Sequence, residues 1–163
     1  MKNITYSKVN FSDVVRAFWQ GIKPQKWWLF VSVASVIVGN ILVTIVPLFY
    51  KQFFDILLSG QTSDVIVSKL LSIIATVAVF YGIAWIFWRI AEFNYNAYQP
   101  STMAKLKQQT YDYLMEHSYS FFANNFVGSL VQKVNRFVRS FERLSDDIIW
   151  NILPLVVRAS SIF

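Results

Sequence analysis

The stretch WWLFVSVASVIVGNILVTIVPLFY, Trp27–Tyr50, decides the fold, because its 24 residues carry no formal charge. A bilayer core of about 30 Å needs about 20 helical residues at 1.5 Å each, so this segment can span it. Trp27 and Trp28 at one end and Tyr50 at the other are suited to the two headgroup levels. Working outward, a second run of 19 uncharged residues, Leu70–Trp88, ends in aromatics and Arg89. A third apolar run starts at Ile148, includes Trp150, Pro154 and Arg158, and reaches only Phe163. It is too short to complete a span, and a chain that stops inside a helix reads as part of a larger protein.

Composition points the same way. Charged residues make up 15% of the chain, against roughly 25% in ordinary soluble domains. The net charge of +6 does not indicate nucleic acid, because the basic residues flank the apolar runs rather than a recognition motif. There they suit anionic lipid headgroups and set topology. With no cysteine, disulfides and thiolate metal sites are excluded. The first 26 residues hold Lys2, Lys8, Arg16, Lys23 and Lys26 but no apolar core, so they are not a cleavable signal.

Those five basic residues and the seven in 89–147 contrast with the linker 51–69, which has only Lys51 and Lys69. The positive-inside rule therefore predicts a cytoplasmic N-terminus, a cytoplasmic segment 89–147 and an external linker, in a multi-pass protein of the cell membrane.

Within FSDVVRAFWQGI, the residues Phe11, Val14, Val15, Phe18, Trp19 and Ile22 fall at offsets 0, 3, 4, 7, 8 and 11. That is a one-sided helix, with Ser12 as its expected N-cap. Its apolar side is expected to lie in the membrane interface, or else against another domain. After Arg89 a helical pattern continues through Met103, Leu106, Thr110, Tyr113, Leu114 and His117, and Pro100 is expected to kink it. After Gly128, Leu130, Val134, Phe137, Val138, Phe141, Leu144 and Ile148 form a second helical stripe that leads without Pro or Gly into the third run. Two membrane helices thus extend into the cytoplasm, about 40 Å beyond the bilayer if the first runs from Arg89 to His117. They are joined by SYSFFANNFVG.

No catalytic set is present. His117, the single histidine, has no base or nucleophile placed for it and reads as a packing or capping residue. Asp146 and Asp147 lack companion ligands for a metal and are expected to begin the third span or to pair with Arg143. Lys133, Arg136, Arg139 and Arg143 share one side of their helix, which reads as a solvated or headgroup-facing surface. In the first span, Ser32, Ser35, Gly39, Asn40, Thr44 and Pro47 fall on about half the helical wheel. That face serves close helix packing or borders a translocation path. Arg158 within an apolar run must meet a partner or a wet cavity. Asn40, Thr44 and Arg158 are accordingly the candidate path residues.

The order amphipathic helix, span, short linker, span, cytoplasmic hairpin, span resembles the start of the transmembrane domain of ATP-binding cassette exporters. The specific likeness lies in LKQQTYDYLMEHSYSFFANNFVGSLVQKV, which begins at Leu106. It has a Leu/Tyr-rich helix end, an aromatic pair, a polar pair, a glycine, an apolar pair and a basic residue. Where the family often has Asn-Asp, this chain has Arg136-Phe137.

The resemblance implies an all-α membrane protein whose long helices continue into the cytoplasm. It implies a first coupling helix around Ser118–Phe126, resting on a nucleotide-binding domain. Ser120, Phe121, Phe122, Ala123, Asn124, Asn125, Phe126 and Gly128 would form that contact, with Phe121, Phe122 and Phe126 as rigid anchors and Gly128 at the chain reversal. It implies a second transmembrane domain as partner, and ATP with magnesium in the nucleotide-binding domain rather than here.

LSGQ at Leu58–Gln61 lacks one glycine of the cassette signature, falls in the external linker and reads as a turn. No phosphate-binding loop of the form G-x-x-x-x-G-K-[ST] occurs, so no ATP hydrolysis is expected from this chain. The alternative is a membrane-anchored signalling or scaffolding protein whose helical hairpin binds a cytoplasmic partner.

Overall fold

The computed structural model describes residues 10–58 and 63–161. Of the expected Leu58–Gln61 turn, only Leu58 is among them, and it stands in a turn. Every element among the described residues is helical: α1 (Phe11–Ile22), a 3₁₀ turn (Lys23–Gln25), α2 (Lys26–Leu57), α3 (Ser63–Met115), α4 (Tyr119–Asn124) and α5 (Val127–Asp146). A π turn (Asp147–Ile152) and α6 (Leu153–Ser160) follow. Helices α2 and α3 each contain a stretch long and apolar enough to cross a membrane. The chain divides into two compact units.

One unit comprises the described parts of Met1–Trp27 and Ala97–Ser145. Its core is the apolar stripe of α5, where Leu130, Val134, Val138 and Phe141 are buried. Phe18 of α1 stacks on Phe137 with centroids 5.1 Å apart and meets Phe141 edge-on at 5.2 Å. Tyr98 and Leu106 of α3, each 1% exposed, complete this core. Leu144, expected on the stripe, is exposed, and Ser145 is buried in its place.

Helix α1 divides its apolar face between two surroundings. Phe18 and Gly21 face α5 and α3, whereas Phe11, Val15 and Trp19, spaced four apart, stay exposed. Neither expected surrounding accounts for the packed flank: Phe18 and Gly21 meet α5 and α3 of the same chain, and the other flank is open. Its N-cap is Asn10 rather than Ser12, with the Asp13 amide donating to the Asn10 carbonyl at 3.0 Å.

The other unit comprises Trp28–Asn96 and the described part of Asp146–Phe163. Ser32, Ser35, Val36, Gly39, Asn40 and Val46 form the buried face of α2. Small residues let α3 approach closely: a Cβ on Gly39 would stand 3.3 Å from Trp88 Nε1. The Ser32 hydroxyl donates to the Ala91 carbonyl at 3.0 Å, and Phe49 packs on Phe80 with centroids 5.1 Å apart. Pro47, assigned to the small-residue face, is exposed.

Helix α3 runs unbroken through Pro100. Proline removes one donor and disfavours helix, but Tyr98, Thr102 and Leu106 are buried on either side of it and hold the helical path. The stripe of α5 likewise does not pass smoothly into the third run. The π turn intervenes, and Ile148 within it is exposed.

Candidate functional site

Helix α4 is a short helix of six residues, under two turns, within the segment expected at Ser118–Phe126. It is flanked by extended backbone at Ser118 (ψ 158°) and Asn125 (φ −126°, ψ 131°), so the chain bends at both of its ends. The entry is fixed by aromatic contacts. His117 Nδ1 donates to the Tyr113 carbonyl at 2.9 Å, and its ring lies 4.9 Å from Tyr113 and 4.4 Å from Phe121. The exit is fixed by Asn125, whose Nδ2 donates to the Phe121 carbonyl at 2.8 Å and satisfies a helix-end acceptor. The Phe126 carbonyl then accepts from the Ser129 amide and hydroxyl as α5 begins.

The expected contact residues therefore divide. Phe121 and Phe122 are half-buried and pack edge-on at 5.5 Å. Ser120, Ala123 and Phe126 are exposed, Phe126 at 81%. Asn124 closes the helix. Sequence spacing missed Tyr119, which at 88% is even more open than Phe126. Gly128 is not at the reversal. It lies in the first turn of α5, where a Cβ would come within 2.6 Å of the Phe126 ring.

The second set lies in the other unit and draws two of its three predicted members together. Arg158 Nε donates to Asn40 Oδ1 at 3.0 Å, across 118 residues of sequence. Asn40 is fully buried. Its Nδ2 donates to the Val36 carbonyl at 2.8 Å, which fixes the amide orientation and turns Oδ1 to the arginine. Thr44 reaches the same residue through backbone, its hydroxyl donating to the Asn40 carbonyl at 2.8 Å.

Arg158 itself is exposed and borders a cleft of about 490 Å³ lined by Trp88, Trp150, Asn151, Pro154, Leu155 and Ala159. Trp88 and Trp150 are nearly parallel, 18° between planes, with centroids 6.0 Å apart. Sequence reading did not connect the two tryptophans, which lie on different elements. The π turn that carries Trp150 is braced by Asp146, whose Oδ1 accepts from the Tyr95 hydroxyl at 2.8 Å, and by Asp147, which accepts from Asn151 at 3.1 Å. These are the roles of the acidic pair for which a place at the start of the span or beside Arg143 was expected.

Residues 29–163 match the family described as the ABC transporter transmembrane region. The chain belongs to that family, and it is a membrane protein. It is also 25% identical over 124 residues to the uncharacterized ABC transporter ATP-binding protein YwjA of Bacillus subtilis (strain 168). That alignment covers 74% of this chain and 20% of YwjA, so the chain spans about a fifth of the relative's length. No solved structure gives a significant match.

Proposed function

We propose that this chain is the membrane portion of an ATP-driven exporter and that α4 is the foot through which a nucleotide-binding domain moves it. The observation that carries the reading is the exposure of Tyr119, which opens the six-residue helix α4, and of Phe126, two residues past its end. Large aromatic side chains open to solvent are of the type enriched at protein interfaces. The partner's chemistry is supported by YwjA, which is named an ATP-binding protein.

In this reading the N-terminus and residues 89–147 face the cytoplasm and 51–69 lies outside, an orientation supported by the distribution of basic residues. The nucleotide-binding domain holds ATP and magnesium. Its closure carries α4, and with it α3 and α5, which flank α4 in sequence. A second transmembrane domain completes the path, and the exposed flank of α1 rests on lipid headgroups.

The test uses the complete transporter in nanodiscs. Phe126→Asp and Tyr119→Asp are expected to reduce transport-coupled ATP hydrolysis by about thirtyfold, the loss of one interface hot spot, without loss of the folded membrane domain by size-exclusion chromatography. Unchanged coupling in both variants would remove α4 from the contact.

A further inference from the structure

We infer that the cleft beside Arg158 is a binding site for an anionic amphiphile: one carboxylate or phosphate group joined to an apolar body. The inference rests on the exporter reading above, and it names the chemistry of what the path accepts. Arg158 stands in an apolar run, where a charge must be matched or wet. Its hydrogen-bond partner is Asn40 Oδ1, a neutral acceptor that orients the guanidinium without cancelling its charge. Among the described residues no carboxylate lies within ion-pair distance of it.

A guanidinium has five N–H donors in a planar fork. The Asn40 bond uses Nε–H and leaves the two terminal NH₂ groups, which suit a carboxylate or phosphate. Asn40 cannot turn away, because its own amide is tied to the Val36 carbonyl. The rest of the cleft is the wrong lining for a free inorganic ion. Trp88, Trp150, Pro154 and Leu155 present aromatic and aliphatic surface, with Asn151 as the second polar side chain. A charged head at Arg158 and an apolar body along the tryptophans satisfy both halves of the site.

The two tryptophans also supply the readout. In the complete transporter reconstituted in phosphatidylcholine nanodiscs without nucleotide, energy transfer from tryptophan to parinaric acid is measured beside that to its methyl ester. The two probes share one body and differ only in the anionic head. Saturable binding of the acid is expected, about tenfold tighter than the ester, the value of one charge-assisted contact. Arg158→Gln should erase that preference and Arg158→Lys should keep part of it. Asn40→Asp, which supplies an internal carboxylate to Arg158, should weaken the acid and leave the ester unchanged.

Two competitors identify the source of the anion. Phosphatidylglycerol in the nanodisc displaces the acid if a lipid headgroup occupies the site. Inorganic phosphate that displaces it at a concentration comparable to the acid's own would show that the apolar body contributes nothing and would overturn the amphiphile assignment. Equal affinity for acid and ester, or a preference that survives Arg158→Gln, would overturn the site itself. Because binding is read without ATP, failure here with coupled hydrolysis intact strikes only this site. Charge-selective binding with no coupled hydrolysis would instead strike the exporter reading.

Discussion

Asn40 and Arg158 meet through a single side-chain hydrogen bond, 3.0 Å from Nε to Oδ1, between the middle of α2 and the end of α6. The acceptor is buried and the donor is charged, so the bond is worth more than a surface contact. Asn40→Ala is expected to lower stability by about 1–3 kcal/mol. Arg158→Ala should cost less in that background than in the native one. Thermal unfolding of the four members of this cycle in nanodiscs checks the coupling, and additivity within about 0.5 kcal/mol would deny it.

Gly21 is buried against Leu106, whose Cδ2 and Cγ would lie 2.6 and 2.7 Å from an added Cβ. Leu106 is itself 1% exposed, so it has little room to yield. Gly21→Val should therefore destabilise by about 1–3 kcal/mol through overpacking. Leu106→Ala in the same chain should recover part of that loss. A Gly21→Val variant as stable as the native chain would show that α1 does not press on α3.

Burial pushes the Tyr98 phenol up to about 12 from its usual 10, against the opposing pull of the Ser145 and Thr102 hydroxyls. A folded-state pKa above the unfolded one means that the folded form keeps its proton longer. Its contribution is complete below about pH 10 and is lost as pH rises through the folded value. Stability should fall between about pH 10 and 12, with a slope that Tyr98→Phe removes. An identical slope in that variant would assign the alkaline loss to other groups.

The π turn at Asp147–Ile152 sets where α6 faces. An α-helix turns about 100° per residue, so deleting Asn151 to restore ordinary spacing would rotate Arg158 by about that angle and shorten its reach. The Asn40–Arg158 coupling should vanish in the deletion and return when one alanine is inserted before Leu153. Persistence of the coupling in the deletion would show that α6 takes its register from elsewhere.

Much of this architecture is legible in the order of residues. Uncharged runs of bilayer length mark the stretches of α2 and α3 that are long and apolar enough to cross a membrane, and the 100° spacing of Ser32, Ser35, Gly39 and Asn40 locates the buried face of α2. The demand that a charge in an apolar run find a partner singled out Arg158, and it has one in Asn40.

What periodicity does not carry is which neighbour covers each flank of a face, so it does not foretell that Phe18 packs on α5 while Phe11, Val15 and Trp19 stay exposed. A helix as short as α4 has too few turns for a pattern, so periodicity does not separate the exposed Tyr119 from the half-buried Phe122. The sequence DIIWNI contains no helix breaker. Its widened turn is held by long-range partners, among them Tyr95 on Asp146 and Trp88 on Trp150.

That turn also separates two kinds of mutational change. Substitution within Leu153–Ser160 alters what a position carries and leaves its direction alone. Gain or loss of a single codon between Asp147 and Ile152 redirects every side chain after it in one step, Arg158 included, while their identities stay the same. Chains of this kind can therefore diverge in what they hold beside α2 with little change in the composition of α6, and the record of that divergence is kept in length rather than in letters.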